Sequence, residues 1–268
     1  MKNLHYSKEH LLYLKSLKRK NAFINTIRFS ILILFLAIWE LSAQFSWINP
    51  FITSSPSRII KAISDLYNNG TLFYHVGTTL GETLLGFFLA VALGYSIALL
   101  LWWSEVFRKI TEPYFVVLNA LPKIALGPLI IIWFGTGSKA IVFITVIIGL
   151  IVAILNMLSG FMETDENKLL LLKSMGASKI QILTKLVIPS SLPTFISMLK
   201  INVGMAWIGS IMGEYIVSKA GIGYLIVYGG QVFKLDLVMS AVFILCILAA
   251  AMYSIVAILE KIVIKNNH

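Results

Sequence analysis

Thr164-Asp-Glu-Asn-Lys-Leu-Leu-Leu-Leu-Lys-Ser-Met-Gly-Ala-Ser-Lys-Ile-Gln-Ile-Leu-Thr-Lys-Leu-Val-Ile-Pro189 reads as helix, glycine, helix, proline. Thr164 or Asp165 can accept the free amides that open a first helix, and Gly176 can take the left-handed conformation that ends it. Ser178-Lys-Ile-Gln181 has the S-x-x-Q form of a capping box and begins a second helix, which Pro189 and Pro193 are expected to stop. Leu169 to Leu172 and Met175 make the first helix too apolar to face only water. Either the ends of neighbouring helices cover it or a partner does.

On both sides of this segment the chain is apolar. Hydrophobic residues make up 58% of its 268 positions and charged residues 13%, against a usual hydrophobic share of about 45–50%. Mean hydropathy is +0.88. The apolar residues gather in blocks of about 20, the length that crosses roughly 30 Å of hydrocarbon as a helix. A window of about 19 residues gives six spans, near Ile27 to Phe45, Thr79 to Trp103, Pro113 to Phe134, Lys139 to Leu158, Thr194 to Val217 and Leu237 to Leu259. The chain therefore divides into a basic leader 1–26, a first span 27–45, an external segment 46–78, a five-span core 79–261 with the link 159–193 inside it, and a tail 262–268. The leader is too long for a cleaved signal, so the first span is expected to stay.

The formal charge of +10 and pI near 9.6 come without interleaved aromatics or a nucleic-acid motif, so no nucleic-acid partner is expected. The basic residues mark topology instead. With both termini and the links 104–112 and 159–193 on one side, that side carries fifteen lysines and arginines, and the other only Arg58, Lys61, Lys139, Lys219 and Lys234. This places both termini in the cytoplasm of a cell whose inner membrane the chain crosses. In the leader, Leu11, Leu14 and Leu17 lie at helical spacing beside Lys15, Lys18, Arg19 and Lys20, which suits either a helix on an anionic lipid surface or a solvated tail. Ser55-Pro-Ser-Arg58 and the periodic run to Tyr67 predict a short external helix. The single cysteine, Cys246, excludes an intrachain disulfide, and the scattered histidines offer no metal spacing.

Gly86, Ala90, Gly94 and Ala98 fall four apart on one stripe of the second span, where a neighbouring backbone can approach closely; Gly209 and Gly213 repeat the spacing in the fifth. The third span is broken at Leu121-Pro122-Lys123-Ile-Ala-Leu-Gly127-Pro128, and the end of the fifth combines Gly213, Glu214, Gly221 and Gly223. Irregular backbone at membrane depth survives only inside protein or along a wet cavity, so both places are candidates for a solute path or gate. Lys123, near the middle of its span, is read either as a cationic wall of that path or as a side chain that snorkels or pairs with backbone carbonyls or a carboxylate, Glu214 being one candidate.

The link resembles the signature of ATP-binding-cassette importer permeases: EAA, three residues, Gly, nine residues, then I-x-L-P. Nine residues follow Gly176 before Leu186-Val-Ile-Pro189. The resemblance runs from about Ser55 to Lys261 and includes Leu121-Pro-Lys123, Ile132-Trp-Phe-Gly135, Gly176-Ala-Ser178 and Gly221-Ile-Gly-Tyr-Leu225. It is nearest to the branch that handles nitrate, sulfonates and taurine. The resemblance implies an all-α, polytopic fold with six transmembrane helices of the type I importer kind. It assigns coupling to an ATPase to Asp165, Glu166, Leu170, Leu171, Gly176, Ala177 and Pro189. The family's EAA triplet falls on Leu170-Leu171-Leu172, so its usual glutamate is missing; Asp165 and Glu166 are the nearest acids.

The sequence G-x-x-x-x-G-K-[ST], which cradles a nucleotide, does not occur, nor does H-E-x-x-H. The chain is expected to be non-catalytic and to bind no cofactor, with ATP and magnesium on a separate ATPase. The family implies a second copy of the permease, two cytoplasmic ATPase subunits and an external solute-binding protein. Two rivals are a secondary transporter, which would use intramembrane charges to bind coupling ions, and a membrane anchor for an enzyme complex, which would need no broken span.

Overall fold

A computed structural model describes residues 8–265, and every regular element among them is a helix. The chain forms two compact units, 1–62 and 63–268.

In the first unit α1 (Lys8–Gln44) runs without a break, because no glycine or proline interrupts it. Leader and first span, expected as two pieces, are thus one helix of 37 residues, about 55 Å long, well beyond the hydrocarbon thickness. Lys2, the tail end 266–268 and the side chains of Leu11, Leu14 and Lys18 lie outside the described residues. Asn49 opens the short α2 (Pro50–Thr53) by accepting the Phe51 amide at 3.0 Å. The expected external helix is α3 (Pro56–Asn68). At its start Glu40 accepts both the Ser57 amide (2.9 Å) and the Ser57 hydroxyl (2.8 Å), so a carboxylate lies where the helix end is positive.

The second unit is built on α4 (Leu72–Trp103), α7 (Ser138–Met162), α11 (Leu192–Val217) and α13 (Leu235–Lys265). With α1, these make five helices long and apolar enough to cross a membrane among the described residues; α5 (Glu105–Ala120) and the segment Lys123–Phe134, which ends in α6 (Gly127–Phe134), make a sixth when counted as one bent span. Phe87, Leu101, Ile154, Met157, Met198 and Trp207 form the main core among α4, α7 and α11.

Small residues decide how closely α7 is approached. A Cβ on Gly86 would lie 2.4 Å from Thr145 Cγ2, one on Gly94 2.4 Å from Ala153 Cβ, and one on Gly209 2.6 Å from Thr145 Cα. Ala90 and Ala98, on the same stripe of α4, are buried.

Three expectations need correction. The third span is not a helix from Pro113. Ser104 accepts the Phe107 amide at 3.3 Å and starts α5 at Glu105, so the supposed link 104–112 is helical and Pro113 lies inside it. The helix then ends at Leu121, held extended (ψ 139°) because a residue before proline is barred from helical geometry, and the chain bends by 88°. Second, Pro189 does not stop the second link helix. α9 (Lys179–Ile182) continues through a π turn, Leu183–Val187, into α10 (Ile188–Ser190). The wider turn accommodates a residue that has no N–H to donate. Third, the stretch 218–236 holds a helix of its own, α12 (Ile222–Gln231).

Gly209→Val should lower the stability of the purified protein in lipid nanodiscs by about 1–3 kcal/mol, because the new side chain meets the Thr145 backbone. Gly204→Ala, which faces open space, should melt like the wild type. Equal melting of both variants would show that α11 does not depend on its contact with Thr145.

Candidate functional site

The link helix α8 (Glu166–Ser174) begins at Asp165, whose carboxylate accepts the Asn167 amide at 2.9 Å. Thr164 is instead buried, its hydroxyl donating to the Phe161 carbonyl at 3.0 Å. At the other end Gly176 has φ +74°, and two bonds close the helix: Gly176 N–H to Lys173 O and Ala177 N–H to Leu172 O, each 3.0 Å. Both bonds of a Schellman motif are therefore present, and only a residue at ease in the left-handed region completes it. Ser178 and Gln181 exchange the two bonds of the capping box.

This construction sorts the apolar residues. Leu169, Leu172 and Ala177 pack against the core, whereas Leu170 (68% exposed), Leu171 (59%) and Met175 (74%) point away from it. Neither alternative for the cover of α8 holds alone: one face is covered by the spans and the other is open. Lys179 donates to the Trp103 carbonyl at the end of α4 and lies over the Trp102 and Trp103 rings, 5.8 and 5.1 Å from their centroids. A cavity of about 690 Å³ opens beside this contact, lined by Trp102, Arg108, Glu166, Lys173 and Lys179 among others. Pro189 lies past the π turn, away from the open face of α8 in sequence.

At the broken span Pro122 leads into a single 3₁₀ turn, Lys123–Leu126, and Pro128 opens α6. Gly127 is buried; a Cβ there would meet Ile216 Cδ1 at 2.6 Å. The Lys123 ammonium donates to the Asn119 carbonyl (3.1 Å) and to its side-chain oxygen (3.3 Å). It thus covers the last carbonyls of α5, where a cation is favoured, and its partner is not Glu214. Gly213, expected at a gate, is buried against Ile141, whose Cα would lie 3.1 Å from an added Cβ.

Glu214 belongs to a different arrangement. Gly221 (φ +105°) turns the chain into α12, and the three amides that open this helix end on side chains of other helices. Gly221 N–H donates to His75 Nδ1 (3.0 Å), Ile222 N–H to Thr79 Oγ1 (2.7 Å) and Gly223 N–H to Glu214 Oε2 (2.5 Å). A Cβ on Gly221 would stand 2.4 Å from the Glu214 carboxyl, and one on Gly223 2.8 Å from its Oε2, so both positions must lack a side chain. The Thr83 and Ser210 hydroxyls join α4 to α11 one turn deeper, at 2.7 Å.

Glu214, Gly221 and Gly223 are thus brought together, while Lys123, Pro122 and Pro128 stand at the bend between α5 and α6. The sequence pattern alone does not draw His75, Thr79 or Glu82 into a site. Their spacing, His75, Thr79, Glu82 and Gly86 on one face of an apolar helix, is the signal that could have drawn them into one site.

The family description "Binding-protein-dependent transport system inner membrane component" matches residues 90–266. The formylaminopyrimidine transport permease protein ThiX of Halalkalibacterium halodurans is 32% identical over 72% of this chain and 76% of its own length. The taurine transport system permease protein TauC of Escherichia coli is 24% identical over 84% of this chain and 83% of its own. Among solved structures, an inward-facing form of the MetNI methionine ABC transporter superposes with TM-score 0.63 at 18% identity, covering 70% of this chain and 94% of that one. A bacterial ABC transporter that imports the acidic polysaccharide alginate also gives 0.63, at 14% identity, over 93% and 98%. The chain belongs to the family of binding-protein-dependent transport system inner membrane components, the multi-pass permease subunits of ATP-binding-cassette importers.

Proposed function

We propose that the chain forms the translocation pathway for a small anionic solute of the sulfonate, nitrate or taurine kind, as one of two copies driven by two separate ATPase subunits and fed by an external binding protein. ATP and magnesium bind to the ATPase subunits, and both termini of the permease face them in the cytoplasm. The observation that carries this reading is α8: a capped helix anchored on one face, with Leu170, Leu171 and Met175 exposed on the other. An apolar, rigidly held projection of this kind fits a groove on a partner. Movement of that partner would swing the spans as rigid bodies. The missing glutamate at Leu170 makes the contact mainly hydrophobic, with Asp165 committed to its cap.

An anion is favoured by Lys123, a cation at a backbone break, and by the taurine and sulfonate permeases among the relatives. A planar heterocycle is the second reading, favoured by the 32% identity to the formylaminopyrimidine permease.

Gly176→Val should abolish ATP-driven uptake while membrane insertion persists, because a β-branched residue at φ +74° costs about 1–2 kcal/mol and unlocks the motif that sets α8. Leu170→Asp should reduce co-purification of the ATPase; unchanged yield of the complex would remove Leu170 from the interface. With Cys246→Ser as background, Asn69→Cys should react with an impermeant thiol reagent in intact cells and Lys168→Cys should not. Labelling of Lys168→Cys from outside would reverse the orientation. In vesicles holding the permease, its ATPase and its binding protein, Lys123→Met should lower taurine uptake about tenfold or more, the worth of one charge-assisted hydrogen bond, with the complex intact. Full taurine uptake by this variant would overturn the cationic path, and pyrimidine uptake without taurine uptake would favour the heterocycle.

A further inference from the structure

Two carboxyl groups lie buried at the junction of α4, α11 and α12. Glu82 is 5% exposed and Glu214 1%, and the bonds on either side of Glu82, Thr79 to the Ile222 amide and Thr83 to Ser210, bring its turn of α4 against the turn of α11 that carries Glu214. Both oxygens of Glu82 and Oε1 of Glu214 have no hydrogen-bond partner among the described residues. No lysine or arginine among them pairs with either group: Lys200 is taken by Glu260 at 2.5 Å, and Lys123 by Asn119. The other titratable neighbours are His75 on α4, whose Nδ1 is an acceptor for Gly221 N–H, and Tyr215 on α11, which is 38% exposed. Ser138, on the exposed first turn of α7, borders Glu82.

Two unpaired negative charges in such a place are costly, and two carboxylates have only acceptors to offer one another. We propose that Glu82 and Glu214 bind one proton between them, as a carboxyl–carboxylate pair of net charge −1. The structure also assigns which group holds it. Glu214 Oε2 accepts the Gly223 amide at the positive end of α12, so the charge belongs on Glu214. Glu82 receives no donor from the backbone, so it carries the proton and donates it to Glu214 Oε1. One O–H bond on Glu82 then satisfies two of the three unpartnered oxygens, and no further ion is required. No cation needs to fit: an added Cβ at Gly221 or Gly223 would already collide with the Glu214 carboxyl, so the space around that side is filled. The proton thereby becomes a structural ligand that holds α4 and α11 together at the point where both grip α12. Its presence is independent of which solute the protein carries.

The test is infrared spectroscopy of the full chain in lipid nanodiscs at neutral pH, in H2O and D2O. The wild type should show the C=O stretch of a protonated carboxyl, shifted in D2O. Glu82→Gln, whose amide N–H can replace the proton, should fold and lack the band. In Glu214→Gln the one remaining side-chain oxygen is held by the Gly223 amide and the NH2 group faces Glu82, so the band should move or disappear. Absence of the band in the wild type would overturn the proposal, as would a band that survives Glu82→Gln. If Glu82→Gln does not fold, a band at an unchanged position in Glu214→Gln would overturn the sharing by itself.

Discussion

Within a bilayer, apolar side chains gain little by leaving lipid for one another, so helices hold together through close packing and the few polar contacts it permits. Here that constraint falls on α7. Gly86 and Gly94 of α4 and Gly209 and Gly213 of α11 bring two long helices onto Thr145, Ala153 and Ile141, with no room for a methyl group at the tightest points. The Thr145 hydroxyl turns back to the Ile141 carbonyl at 2.8 Å, so the surface offered to both neighbours is a methyl and backbone. Once α4 and α11 share this support, their facing residues are fixed, and Thr83 and Ser210 can bond across the gap.

The irregular parts of the molecule rest on that frame. α12 has only ten residues, too few to cross a membrane, and it is retained because α4 and α11 supply acceptors for its first amides. The bend at Leu121 exposes the last carbonyls of α5, and Lys123 folds back over them. In both places a side chain of the protein supplies a partner to the broken backbone.

How much of this could be read from the sequence depended on whether the determining interaction was local. The Gly176 turn, the Ser178–Gln181 box and the break at Pro122 depend on residues within one turn of each other, and spacing alone gave them. The start of α5 is not legible because Glu105-Val-Phe-Arg-Lys109 looks like a charged link, and Ser104 caps it without the box that marks Ser178. Pro189 looks like a stop because proline normally is one, and the π turn just before it leaves no mark in the residue pattern. The glycines of α12 looked like loop, since their role is to make room for Glu214, nine residues away from Gly223 in sequence but against it in space. Glu82 and Glu214 are 132 positions apart, and no periodicity links them.

α4 joins the link that holds α8 and α9 to the mouth of α12. It contains no proline, and its 32 residues make a rod of about 48 Å. One end presents the Trp103 carbonyl to Lys179 of the link, and the other presents His75 and Thr79 to the opening amides of α12. A stiff strut pinned at both ends cannot tilt at one pin alone. A displacement of the Trp103 end is therefore shared by His75 and Thr79 at the far end of the same rod.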